Sequence, residues 1–193
     1  LDPTSFGETV DGYWKAKDYA GTYGTNGFHL TFQDDVVSEG FNAVTYSGNG
    51  GTQSISGLGF EPDLVWIKER SSTSGHVLTD TIRGAKKHLV SSSNGAETTV
   101  SNGLTSFDAD GFSVGSNGAY NQSGQTYVGW AWDAGENNAP TGHSSVTYTG
   151  NGGTQSIKGF GFGPDFVWTK GLSARQHLLF DTIRGNGAYL LST

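Results

Sequence analysis

VTYSGNGGTQSISGLGFEPDLVWIK, Val44–Lys68, returns as VTYTGNGGTQSIKGFGFGPDFVWTK, Val146–Lys170, displaced by 102 residues. The displacement becomes 101 when HVLTDTIRG, from His76, recurs as HLLFDTIRG, from His177. One folding unit has been copied, and its period exceeds the ~20–50 residues of solenoid repeats, so each copy has the length of a domain. The first copy runs from Phe41 through YVGWAWDAG, Tyr127–Gly135, whereas the second has no counterpart of Ser93–Gly135. Half a β domain leaves its inner face open, so the polypeptide is expected to continue beyond Thr193. The expected organisation is therefore a connector or the end of a preceding domain in residues 1–40, a complete repeat in 41–140, and the first half of a second repeat in 141–193. Leu1–Gln33 matches neither copy.

Each copy reads as strands separated by turns. Ala43–Tyr46 enters SGNGG and Thr52–Ile55 leaves it, with Asn49-Gly50 supplying positive φ, which predicts a hairpin. Glu61-Pro62-Asp63 interrupts the chain before Leu64–Lys68, whose apolar run predicts a strand covered on both faces. Asp108-Ala109-Asp110-Gly111 is a turn of the Asp-Gly kind before Phe112–Val114. In Tyr127–Asp133, Val128, Trp130 and Trp132 share one face while Tyr127, Gly129 and Ala131 share the other. Ala134–Ser145 has the composition of a linker.

Composition agrees with that reading. Among 193 residues there are 31 Gly, 12% aromatic and only 15% charged residues, without the Ala, Leu, Glu and Lys excess of long helices. The expected class is all-β, as tandem antiparallel β-sandwich domains of jelly-roll, lectin-like type, with a barrel as the second choice and at most one short helical turn per domain. The net charge of −7 and scattered Lys and Arg argue against nucleic acid or anionic membrane as partners. No apolar run approaches the ~20 residues of a membrane-spanning helix, so no membrane insertion is expected. With no cysteine, disulfides, thiolate metal sites and cysteine nucleophiles are absent from the chain.

Chemistry-bearing motifs are few. GNGG and GLGF lack the Lys and Ser/Thr of a phosphate-binding loop, and GFGFG precedes a proline and a strand where a dinucleotide fingerprint would open a helix. Asp108, Asp110 and Gly111 begin like a calcium loop, but no terminal bidentate Glu follows. The repeated Asp-Thr-Ile-Arg-Gly, Asp80–Gly84 and Asp181–Gly185, is expected to brace structure. In an extended chain its Asp and Arg lie on opposite faces, so each is expected to find another partner. His76 and His177 are expected to be packed or surface-bonded. The acidic pairs kept by both copies, Asp63 with Asp165 and Asp80 with Asp181, select no catalytic pair. No catalytic, cofactor-binding or metal-ligating residue is assigned, and the expectation is a protein that is not an enzyme. Trp66 and Trp168, in the most apolar strand, are expected in the core; Trp14, Trp130 and Trp132 are less constrained, and one left exposed could stack on a sugar ring. Tyr120 and Asn121, in GSNGAYNQSG, are the candidate glycan contacts, since such loops present adaptable hydrogen-bonding surface.

YSGNGGTQSISGLGFEPDLVWIKERS, HVLTDTIRGAKKHLVSS, LTSFDADGFSVGSN and YVGWAWDAG, in that order, resemble a repeated domain of tail fibres and other virion appendages of tailed bacteriophages, marine ones in particular. YAGTYGTNGFHLTFQD, Tyr19–Asp34, is similar to a segment that adjoins such domains. Lys86, Lys87 and His88 depart from the small-residue form that the second copy keeps. The resemblance implies a viral structural protein: tandem β domains in a tail fibre or extracellular appendage of the virion, presenting a host-attachment surface. It also implies a homo-oligomer, a trimer in the first instance, with other virion proteins and a host surface polysaccharide as partners. A lectin-like adhesion module and a ligand-free spacer or decoration domain are the alternatives.

Overall fold

The computed structural model describes residues 7–10, 13–16, 40–134, 142–185 and 187–192. The chain divides into two compact units, Leu1–Asp35 and Val36–Thr193. In the first, β1 (Gly7–Val10) and β2 (Tyr13–Ala16) form an antiparallel pair. Tyr19–Asp34 and the centre of the expected linker fall outside the described residues.

The second unit begins with β3 (Phe41–Ser47), β4 (Gln53–Ser56), β5 (Leu64–Glu69), β6 (Val77–Asp80) and β7 (Lys87–Val90). It continues through β8 (Thr98–Thr99), β9 (Leu104–Asp108), β10 (Gly111–Val114), the one-turn helix α1 (Gly118–Asn121) and β11 (Thr126–Trp132). These strands make two antiparallel sheets, ordered β3-β11-β5-β6-β7-β8 and β4-β10-β9. Among the described residues neither sheet closes on itself. The protein is therefore β-rich and antiparallel, with one short helix among the described residues, as its composition predicts.

The two sheets share one core. Val65 and Ile67 of β5, Val77 of β6, and Tyr127 and Ala131 of β11 pack with Ile55, Leu104, Phe112 and Val114 of the smaller sheet. The period-two reading of β11 holds: Tyr127, Gly129 and Ala131 are buried, and their neighbours are half-buried. Gly129 lets the sheets approach closely, for a Cβ there would lie 3.0 Å from Phe112 Cζ and press on that ring. Gly111 is tighter still; its Cβ would meet the Ile55 carbonyl oxygen at 1.9 Å, so any side chain would force β4 and β10 apart.

The expected SGNGG hairpin does not form. β3 pairs with β11 and β4 with β10, so the turn carries the chain from one sheet to the other. Gly50 takes the positive φ, 74°, and Asn49 does not. A buried side chain from the far end of the copy holds the turn, as described below.

The second copy repeats part of this architecture. β12 (Phe166–Lys170), β13 (His177–Asp181) and β14 (Leu190–Leu191) form a sheet in the order β12-β13-β14. Trp168 faces Leu179 across the strands as Trp66 faces Leu78, and Leu178 faces Leu191 as Val77 faces Val90. Val146–Thr149 and Thr154–Ile157, the equivalents of β3 and β4, form no strand. The reason is pairing: β3 and β4 depend on β11 and β10, which have no equivalents in residues 142–192. The apolar positions suffer accordingly, with Leu89 6% exposed and its equivalent Leu190 53% exposed.

Phe112 is fully buried between the sheets. Phe112→Ala is expected to cost about 3–5 kcal/mol, the range for truncating a large core aromatic. Urea unfolding followed by far-ultraviolet circular dichroism measures it; a midpoint equal to the parent's would remove Phe112 from the core.

Candidate functional site

Tyr120 and Asn121 are not a surface platform: they are 1% and 0% exposed. Asn117 caps α1 by accepting from Ala119 N at 3.0 Å, and that single helical turn drives the loop inward. Asn121 then staples SGNGG. Its Nδ2 donates to Asn49 Oδ1 and to the Gly51 carbonyl at 2.9 and 2.8 Å, and its Oδ1 accepts from Asn49 N at 2.9 Å. Tyr120 Oη lies 3.1 Å from His88 Nδ1 and 3.4 Å from Thr79 Oγ1. Desolvation pushes the Tyr120 hydroxyl up to about 12, and desolvation, followed by the Arg83 charge, holds His88 below its ordinary value. A polar loop composition did not reveal this, because Asn and Tyr serve equally well as buried hydrogen-bonding groups once a partner is present.

The acidic turn is also committed to structure. Asp110 accepts from Gly59 N at 2.7 Å and Gly57 N at 3.0 Å, and those backbone donors hold its carboxyl below the usual carboxylate range against a weaker effect of burial. Asp108 accepts from the hydroxyls of Ser106 and Ser113 at 2.8 and 2.7 Å. Among the described residues no group of three or more His, Cys, Asp or Glu side chains is placed to hold a metal ion. No described helix is long and apolar enough to cross a membrane.

The Asp-Thr-Ile-Arg-Gly motif builds the same turn twice, and its Asp and Arg do pair with each other. The chain leaves β6 in a turn rather than in extended form, which carries Arg83 back onto Asp80, Nε to Oδ2 at 2.6 Å. Asp80 Oδ1 also accepts from Arg83 N, and Asp80 O from Gly84 N, whose φ of 95° needs glycine. Thr81 ties the turn to the start of β5 through Asp63, as Thr182 does through Asp165. Arg184 pairs with Asp181 in the second copy. There the similarity ends, for Arg83 also reaches Glu97 and the Leu78 carbonyl.

The Arg83 side chain is 7% exposed and that of Arg184 is 34% exposed. Arg83→Ala strands a buried carboxylate, so a loss of about 3–5 kcal/mol is expected. Arg184→Ala should cost about 1 kcal/mol or less, as exposed pairs do. Paired thermal and urea melts of the two variants check the contrast; equal losses would mean that the Arg83 pair is no more than a surface bridge.

The tryptophans lie elsewhere than expected. Val65, Ile67 and Glu69 point into the core, so alternation along β5 sends Trp66 to the opposite face, where it is half-buried. Trp130 stands directly across from it on β11, the rings 5.3 Å apart. Trp168 of the second copy meets Trp66 edge-on at 5.7 Å. His76 flanks Trp66 at 5.8 Å and His177 flanks Trp168 at 5.6 Å. Reading the two strands in period two, rather than by total apolarity, would have put Trp66 and Trp130 on this outer face. Trp132 packs against Phe41 at 5.0 Å and His143 at 6.3 Å. The side chain of Trp14 is outside the described residues.

His177 is the polar centre of the contact between copies. Its Nδ1 accepts from Trp168 Nε1 at 2.9 Å while its Nε2 donates to the Val90 carbonyl at 3.1 Å, which requires the neutral ring. Ser192 Oγ donates to the Ser91 carbonyl at 2.6 Å, and Glu97 N to the Leu172 carbonyl at 2.8 Å. Burial is the first cause that holds His177 below its ordinary 6.5, with Lys170 adding to it and the Val90 and Ser93 backbone opposing it. A depressed folded value means that the contact is complete above the unfolded value and weakens as pH falls toward the folded one. Near-ultraviolet circular dichroism of the tryptophan cluster should therefore decline between about pH 7 and 5. His177→Gln should flatten that decline; an unchanged profile would exclude His177 as its source.

A domain family described as Domain of unknown function (DUF7483) matches residues 36–146 and again residues 139–193. The chain belongs to that family. No curated protein and no solved structure matches it.

Proposed function

We propose that the protein is a virion structural protein, part of a tail fibre or similar appendage of a tailed phage, whose tandem β-sandwich domains hold or present a host-contact surface. The ordered phrases quoted above carry the viral setting by resemblance. The observation that carries the structural role is where the duplicated residues are used. Asp80, Arg83 and their copies brace turns, and Trp66, Trp168 and His177 join one copy to the next. None of these groups is left for covalent chemistry, and the reading is non-enzymatic. In an appendage the chain works as a homo-oligomer, a trimer first of all, where weak contacts repeated along a fibre gain strength through effective concentration.

A second reading, a glycan-binding module, draws on Phe41 and Trp132. Phe41 is exposed and its ring is tilted against the half-buried Trp132, an apolar pair of the kind that stacks on sugar faces. Tyr120 and Asn121, being buried, no longer support it.

Immunogold labelling and mass spectrometry of purified particles that encode this chain test the first reading. Label on an appendage is expected; absence from the particle would reject it. Sugar release from host polysaccharide by the purified protein would overturn the non-enzymatic role, and a Phe41→Ala loss of glycan-array binding would favour the second reading.

A further inference from the structure

The contact between the copies joins equivalent residues. Trp66 touches Trp168, its own counterpart at the offset of 102, and Ser91 receives a hydrogen bond from Ser192, its counterpart at the offset of 101. Copies stacked head to tail by translation would keep equivalent residues a full repeat apart, and only residues near a rotation axis can meet their own images. Trp66 is on β5, and Ser91 follows β7, two strands away in the sheet order, or roughly 10 Å. Two such points define an axis lying in the face. Because each copy occupies its own side of that face, the rotation about the axis is half a turn. The His177 bond to the Val90 carbonyl is made on one side only, since His76 makes no matching bond to Leu191, so the operation is a pseudo-symmetry.

We infer that the outer face of β5-β6-β7 is a self-recognition surface: each repeat pairs with a second repeat by pseudo-twofold symmetry, and the pair is closed. An isologous contact uses the same patch on both partners and leaves none to propagate, unlike a heterologous one that builds an open filament. The occupant of this face on an unpaired repeat is therefore a second copy of the repeat. Repeats along a longer chain would join two by two through it, and any growth of a fibre would use other surfaces.

The first copy can be tested alone because its core is self-contained: the buried apolar side chains run from Ile55 to Ala131, with none from residues 142–192. Residues 36–134 should sediment at twice the monomer mass, and Trp66→Glu should return the monomer mass with the urea midpoint retained. The chain has no native cysteine, so single sites can be placed cleanly. Ser91→Cys in the isolated copy should be joined to its own image by disulfide or a short bis-maleimide, whereas Ser123→Cys, on an exposed loop, should not. In the full chain, Ser91→Cys with Ser192→Cys should cross-link within one molecule, seen as faster migration of the unreduced chain. A monomeric first copy, a trimer, an open series of sizes, or a dimer that Ser91→Cys fails to link would each overturn the inference. The cross-link reads the face directly, so its failure is distinct from a failure to find the protein in a virion.

Discussion

Strand β11 lies between β3 and β5, paired along its length with both, while its alternate residues Tyr127, Gly129 and Ala131 face the smaller sheet. It is the last strand of the copy to be made and the one that seats β3 in the large sheet. Tyr127 stacks on Tyr46 at 5.1 Å, and its hydroxyl donates to the Gly118 carbonyl while accepting from Gln122 N, tying the helical turn to the sheet. Gly129 leaves room for Phe112. With β11 present, β3, α1 and the SGNGG crossover each have a partner; in the second copy the same sequence, lacking one, has only its β12–β14 sheet.

Two uses of one face follow from the pleat. Side chains that alternate inward on β5 and β11 make the core, and those that alternate outward, Trp66 and Trp130, make an aromatic surface too large to leave in water without consequence. The second copy takes up that surface with its own equivalent Trp168, so packing within a repeat and packing between repeats are two sides of the same strands. His177, buried and neutral at the centre, makes the second kind of packing sensitive to acid.

Retention of charge has a similar explanation. Asp80 and Arg83 are held in both copies because the turn after β6 needs its orphan N–H groups satisfied, and the carboxylate does so while the guanidinium neutralises it. Lys86 takes a φ of 70°, a conformation uncommon for a side chain, where the aligned residue of the second copy is Gly187. Copying preserved the bonds that close the turn and let the residue beyond it vary.

The duplication, the β class, the strand at Leu64–Lys68, the Asp-Gly turn and the two faces of Tyr127–Asp133 were legible in the amino-acid sequence, because each rests on local periodicity or on a turn chemistry that acts over a few residues. The crossover at SGNGG, the outward placement of Trp66 and the burial of Tyr120 and Asn121 were not. Each turns on a partner more than fifty residues away: β10 and β11 for the crossover, Trp130 and Trp168 for the aromatic face, Asn49 and Gly51 for Asn121. Even the Asp-Arg pairing, three residues apart, depended on the chain turning where an extended segment was expected. Local pattern says which side chains share a face of a strand; only the tertiary structure decides what covers that face, because burial and hydrogen-bond satisfaction are properties of the assembled sheets and not of any one segment.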